Sequence, residues 1–279
     1  KDIESRLWQS GVLVMRTFSF GAGVQSTAVL ALQALGKLPE PYDVFLFANV
    51  GDDSEDPRSL DYYHKFHVPF AEKHGIELVE LHRIMKDGSV ETIWSRLMSP
   101  NSKSIPIPVR MGNGAPATRG CTSDFKIRIV RRWQRANGSC REDPAVTGLG
   151  ISTDEFERAR DDSGFDDQVL EYPLLQLNMS RKDCYDVIKE AGLPQPPKSS
   201  CFFCPFHNTE TWRRLRIERP DLFDKSVFLE QEINKKRYNL GKSKVWLTRY
   251  AKPLDIAIDD QLSFDLEGPE DCDSGYCFT

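Results

Sequence analysis

The chain has 279 residues, 39% of them hydrophobic and 28% charged, and a formal net charge of −5. That length fits one large domain, or one domain with a smaller appendage. The acidic balance excludes a protein that coats nucleic acid nonspecifically, while leaving room for a local basic patch.

In chain order, a short apolar run at 11–15 precedes the segment Phe18-Ser19-Phe20-Gly21-Ala22-Gly23-Val24-Gln25-Ser26-Thr27, and a helix is predicted over 26–35, stopped by Gly36. A strand, a glycine turn and a helix N-terminus together make an anion site. Gly21 and Gly23 let the backbone approach a phosphate, the first helical N–H groups lack intrahelical partners, and the helix dipole favours negative charge. Ser26 and Thr27 add hydroxyl donors. No Gly-Lys-Ser/Thr follows, so this is not a Walker loop, and the glycine spacing does not suit a dinucleotide fingerprint.

The continuous apolar run 42–49 predicts a strand buried on both faces. An amphipathic helix is predicted at 59–74, a strand at 76–81, a short helix at 90–98, a Pro-, Gly- and Asn-rich loop at 101–117, a basic helix at 123–136 and a strand at 145–149. This alternation implies an α/β fold, a parallel sheet sandwiched by helices, with ligands at the carboxyl ends of the strands. After about residue 176 the texture changes. A helix at 180–191 opens on Ser180 with Asp183 as its capping-box partner. A proline-rich turn at 193–198 follows, then helices around 208–218 and 220–239 and an acidic, weakly periodic tail from 241. The expected organisation is a nucleotide-binding α/β domain over 1–176 and a cysteine-containing, helical and irregular C-terminal region over 177–279 packed on it.

Seven cysteines stand at 121, 140, 184, 201, 204, 272 and 277. No secretory pattern opens the chain and no apolar run is long enough to cross a bilayer, so reduced thiols and a cytoplasmic setting are expected. A start at Lys1 rather than Met leads us to expect a missing or processed N-terminus. Cys201-Phe202-Phe203-Cys204 puts two thiolates on one side of a tight turn, a bite that suits iron–sulfur or zinc. Three readings stay open: an iron–sulfur centre, a structural zinc site completed by Cys272 and Cys277, and a redox disulfide or plain thiols. Cys140 and Cys184 have no ligand spacing, and Cys184 reads as a small hydrophobe within a helix. Basic residues gather at Lys126, Arg128, Arg131, Arg132 and Arg135, at Arg213, Arg214 and Arg216 beside Trp212, and at Lys235–Arg237. Arg with Trp suits a nucleotide or RNA, while most of these charges read as solvated helix faces.

The loop Gly21–Thr27 resembles the pyrophosphate loop (PP-loop) of the ATP pyrophosphatase superfamily, in particular its phosphoadenylylsulfate (PAPS) reductase-like family, whose pattern is Ser-Gly-Gly-x-Asp-Ser-Thr. Gly21 stands in place of the first Ser and Gln25 in place of Asp. Phe47–Asp53 is similar to that group's turn after the second strand, and Gly148–Glu155 with Arg158 to its segment after the fourth. Tyr172-Pro173-Leu174-Leu175, the helix from Ser180 and Gly192-Leu193-Pro194 follow in the family's order. Arg119–Lys126 resembles the place of a Cys-Cys-x-x-x-Lys motif, and Cys201–Pro205 its downstream Cys-x-x-Cys.

The resemblance implies ATP and Mg²⁺ as cofactors, with Ser19, Gly21, Gly23, Gln25, Ser26, Thr27, Asn49 and Gly148 around the nucleotide. It implies Lys126 and Cys121 as catalytic residues and a [4Fe–4S] cluster on Cys121, Cys201 and Cys204. Thr122 stands where a fourth cysteine would, so the fourth ligand falls to His207, Cys272 or Cys277 or is left open. The implied activity is ATP-dependent adenylation or sulfur transfer with release of pyrophosphate, the acceptor being a nucleobase in RNA or a small metabolite and the sulfur coming from a donor protein. Alternatives are a sulfonucleotide reductase, and a non-catalytic nucleotide-binding partner protein with structural zinc, which the Gln25 departure would suit.

Overall fold

A computed structural model describes residues 14–100 and 102–259. Five parallel strands, β1 (Arg16–Phe20), β2 (Val44–Ala48), β3 (Glu77–Leu81), β4 (Ala145–Leu149) and β5 (Gln168–Glu171), form one sheet in the order β3-β2-β1-β4-β5. Helices flank this sheet, as the strand–helix alternation predicts. The first strand lies further on than the apolar run at 11–15. It is fixed by pairing of Thr17 with Val44 and Arg16 with Val146, and it buries Phe18 and Phe20. Residues 11–13 lie outside the described residues. The sequence reading missed β5, whose four residues, Gln-Val-Leu-Glu, carry neither alternation nor length enough to stand out.

Contacts divide the chain into two compact units, one comprising 1–48, 62–81 and 130–197 and the other 49–61, 82–129 and 198–279. The division does not follow a single cut near residue 176. The sheet unit runs on to Pro197 because helix Arg181–Glu190, opened by a Ser180–Asp183 capping box, packs on helix Val24–Ala34.

In the sheet unit, β2 is buried along its whole length, and period-2 alternation sorts its side chains. Val44, Leu46 and Ala48 face one side, with Val79 and Leu81 of β3 and with Val130 and Trp133 of helix Arg128–Ala136. Phe45 and Phe47 face the other, in an aromatic layer with Phe18, Phe20, Tyr42 and Tyr63. A buried polar cluster interrupts the apolar packing. Gln134 Nε2 donates to Thr17 Oγ1 (2.8 Å) and Thr147 Oγ1 (2.7 Å), while Gln168 Nε2 donates to Thr147 Oγ1 (3.0 Å) and to Gln134 Oε1 (3.1 Å). Each member finds a partner inside the fold, which is the condition for burying such groups.

The second unit has its own core, which includes Val50, Ile93, Leu97, Phe125, Phe202, Phe203, Trp212 and Leu229. Helices Thr209–Glu218 and Pro220–Asn239 carry much of it, both close to their predicted bounds. Helix Ile93–Met98 starts on a Thr92 cap, later than position 90. The tail holds a short helix, Leu254–Asp259, where the sequence shows only weak periodicity. Glu230, buried in this core, accepts the backbone N–H groups of Leu247 (2.7 Å) and Leu254 (2.9 Å) and ties that segment to the long helix. No helix among the described residues is long and apolar enough to cross a membrane.

Candidate functional site

The glycine turn sits where the sheet topology favours a ligand. Strand order reverses at β1, with β2 on one side and β4 on the other, and crevices in open α/β sheets form at such a switch point, beyond the carboxyl ends of the strands. Residues 21–27 leave the end of β1. The left-handed position in this turn is Ala22 (φ 55°), a conformation that an L-residue adopts at some cost. Gly23 is extended (φ −100°, ψ −175°) and caps helix Val24–Ala34, which therefore begins two residues before the predicted start. The conformational need for glycine thus lies elsewhere than the sequence suggests.

The hydroxyls of the turn are engaged locally. Gly23 N–H donates to Ser26 Oγ (3.0 Å), and Thr27 Oγ1 donates to the Gly23 carbonyl (2.8 Å). Thr27 is fully buried, and its Oγ1 also lies 2.8 Å from His67 Nε2. With its hydrogen on the Gly23 carbonyl, Thr27 accepts from the ring, so His67 carries its proton on Nε2. Burial pushes the His67 pKa down to about 3, so the ring is neutral at physiological pH. Thr27 therefore fixes the turn, and Ser26 braces it; the anion-seeking groups are the N–H groups of the first helical turn.

The loop after β4 closes against the same helix start. A Cβ placed at Gly150 would meet Ser26 N at 3.2 Å and Gln25 Cβ at 3.3 Å, so glycine there permits a close approach. Gly148, expected beside the nucleotide, has a packing role. A Cβ there would fall 2.3 Å from Tyr42 Oη, so its missing side chain makes room for the buried phenol. Ser19 lies within β1, half-buried and paired with Leu46 and Leu149. Gln25 is half-buried in the first helical turn. Arg158, further along the β4 loop, pairs with Glu155 at 2.6 Å.

The remaining expected site residues belong to the second unit. Asn49 opens a tight turn, donating from Nδ2 to Asp52 (2.9 Å) and accepting the Gly51 N–H on Oδ1 (2.8 Å). Gly51 has φ +124°, and a Cβ there would strike Thr92 at 2.4 Å. Asp53 accepts from the Ser54 and Thr92 hydroxyls. The acidic run is thus a self-bonded turn. It then pairs with the cysteine segment: Asp56 N–H donates to Ser200 O (3.0 Å), Phe202 N–H to Ser54 O (3.2 Å), and Glu55 forms a β-bridge with Cys201.

Glu55 is a residue that sequence reading passes over. It is buried, its Oε2 has no hydrogen-bond partner among the described residues, and burial raises its pKa while the Lys126 ammonium opposes the rise. Nothing in the run Gly-Asp-Asp-Ser-Glu-Asp-Pro separates it from its acidic neighbours; only burial does. Lys126 sits in a π-helical turn, Ser123–Ile127, that interrupts the predicted basic helix before Arg128–Ala136. Arg131 and Arg135 of that helix share Asp167 (Arg131 at 2.6 Å), and Arg128 pairs with Asp124. Lys236 is spent on the Leu97 and Ser99 carbonyls.

Cys121, Cys201 and Cys204 are half-buried thiols outside any disulfide, and Cys121 and Cys201 pack against the same apolar core. Cys204 N–H donates to Cys201 O (3.1 Å) and His207 N–H to Cys204 O (3.0 Å), two successive tight turns through the Cys-x-x-Cys segment. That donor chemistry suits iron–sulfur or zinc. Yet no group of three or more His, Cys, Asp or Glu side chains among the described residues is gathered to hold a metal ion. Cys272 and Cys277 lie outside the described residues. Cys140 is exposed, whereas Cys184 is fully buried with its thiol pushed up to about 12 by burial, as its reading as a small hydrophobe requires.

No protein-family model matches the chain, and no curated protein matches it either. Among solved structures, the chain is similar to a phosphoadenylyl-sulfate (PAPS) reductase from Candida auris in its phosphate complex, with 13% identity and a TM-score of 0.42, over 69% of this chain and 80% of that one. The fold assignment itself stands on the strand order and pairing given above.

Proposed function

We propose that the chain is a nucleotide-binding α/β enzyme that holds ATP phosphates at the β1–β4 switch point and uses ATP to activate an acceptor oxygen. The observation that carries this reading is the close approach of Gly150 to Gln25 and Ser26 in the first turn of helix Val24–Ala34, directly after the glycine turn and at the reversal of strand order. Backbone N–H groups there suit a pyrophosphate, and the neutral His67–Thr27–Gly23 chain of hydrogen bonds keeps the turn in place. Attack of the acceptor oxygen on the α-phosphorus would release pyrophosphate and leave an adenylated acceptor. Mg²⁺, when bound with ATP, offsets phosphate charge. Sulfur transfer to a nucleobase in RNA or to a small metabolite is the finer reading. It rests on the Cys201–Cys204 bite, with Cys121 as a third thiol and Lys126 as the cation for an anionic substrate. Among the described residues no third donor is gathered with that pair.

The test is equilibrium ATP binding and pyrophosphate release by the wild type and Gly23→Val. A β-branched side chain at the helix cap should abolish binding while leaving cooperative unfolding intact. Unchanged ATP affinity in the folded variant would remove the site from the loop. Release of sulfite from a sulfonucleotide, without pyrophosphate from ATP, would favour the reductase alternative, and binding without turnover the non-catalytic one. Iron, zinc and sulfide analysis after anaerobic purification tests the thiols. Ala at Cys121, Cys201 or Cys204 should strip the metal and Ala at Cys140 or Cys184 should not.

A further inference from the structure

We infer that the second unit carries a separate site for a tetrahedral oxyanion of the phosphate or sulfate-ester class, in the cleft lined by Arg110, His207, Trp212, Thr248, Arg249 and Tyr250. The cleft begins directly after the Cys201–Cys204 turn, with Pro205 and His207 among its walls.

Two buried donors argue for a ligand. Trp212 is 1% exposed and Thr248 3% exposed, and both Trp212 Nε1 and Thr248 Oγ1 are buried with no hydrogen-bond partner among the described residues. An indole N–H can only donate, and leaving such a group unsatisfied carries the full desolvation penalty of the donor. Native folds tolerate that cost where a ligand or ion supplies the acceptor. The charge in the cleft selects the sign of the ligand. Arg110 and Arg249 both line it, and no carboxylate among the described residues does. Each guanidinium carbon lies over a ring, Arg110 over Phe206 at 5.3 Å and Arg249 over Tyr250 at 5.6 Å. A guanidinium presents several N–H donors in a planar fork, which suits multidentate bonding to an oxyanion better than an ammonium would. A single water offers acceptor capacity but no charge, whereas two arginines lining the same cleft as two neutral donors suit an anion with several acceptor oxygens. No residue of the glycine turn lines this cleft, so substitutions test it separately from the nucleotide proposal.

The experiment is calorimetric titration of the full chain with inorganic phosphate, sulfate and AMP, repeated on Arg249→Gln, Thr248→Val and Gly23→Val. Loss of a charge-assisted bond should weaken phosphate binding about tenfold or more in Arg249→Gln. Thr248→Val, which keeps the shape and removes the hydroxyl, should weaken it several-fold. Gly23→Val should retain this binding event. Tighter binding of AMP than of phosphate, lost in Arg249→Gln, would show the oxyanion to be carried on a nucleotide; equal binding would show a free oxyanion. Equal phosphate affinity in wild type and Arg249→Gln would overturn the assignment, as would loss of all phosphate binding in Gly23→Val alone. Arg249 is only half-buried, so its substitution reads the site even where a core variant such as Trp212→Phe does not fold.

Discussion

Acidification should unlock the glycine turn through His67. The ring is fully buried, edge-on to Phe20 at 4.9 Å and Tyr62 at 4.7 Å, with Nε2 on Thr27 and a buried Nδ1 that has no partner among the described residues. A proton added to Nδ1 would place a charge in that aromatic layer with no acceptor to meet it. The pKa falls from 6.5 to about 3 on folding, so between those values the unfolded chain binds the extra proton and the folded chain does not. Stability due to the neutral ring is therefore complete above pH 6.5 and drains as pH falls toward 3. Each pH unit crossed costs about 1.4 kcal/mol, roughly 5 kcal/mol over the whole interval, and about 3 kcal/mol between pH 6.5 and 4.5. Glu230 acts in the opposite direction. Burial raises its pKa from 4.5 to about 7, so its contribution is full below 4.5 and is lost as pH rises through 7. Because Glu230 is common to both proteins, it cancels when wild type is compared with the non-titrating His67→Gln. Urea unfolding of the pair from pH 7.5 to 4.5 should show the wild type losing about 3 kcal/mol more than the variant. ATP affinity should fall in parallel, because the ring anchors Thr27 and, through it, the Gly23 carbonyl. Parallel stability curves, or an NMR titration of His67 with a midpoint near 6.5, would refute the reasoning.

Two further predictions concern the sheet unit. Gly148→Ala should destabilise by about 1–3 kcal/mol through overpacking against Tyr42 while the folded fraction keeps its ATP affinity; a loss of affinity without loss of thermal stability would return Gly148 to the nucleotide site. Gln134→Leu should lower urea stability by about 1–3 kcal/mol, because it removes the amide donor to Thr17 and Thr147 and one acceptor of Gln168 in a buried cluster, and an unchanged midpoint would show that water replaces the amide.

Much of the architecture was legible from local rules. The unbroken apolar stretch at β2 implied a strand buried on both faces, the Ser180–Asp183 box marked a helix start to within a residue, and Pro220 opened the long helix at its first position. The glycine turn was legible as a strand-to-helix loop because Gly, Ser and Thr have few other uses at that point in a chain.

What the sequence determined by itself was the alternation of elements, and so the parallel α/β sheet, because periodicity and capping are properties of neighbours in the chain. Tertiary structure alone decided which residues meet. It made Gly148 a space for Tyr42 and Gly150 the neighbour of Ser26. It turned Thr27 inward to His67, moved the left-handed residue to Ala22, and buried Glu55 where its sequence neighbours looked the same. It also gathered Arg110, Trp212 and Arg249 from distant segments into one cleft. These depend on packing between groups far apart in sequence, and no local pattern of apolar and polar residues encodes which side chain will fill a given gap.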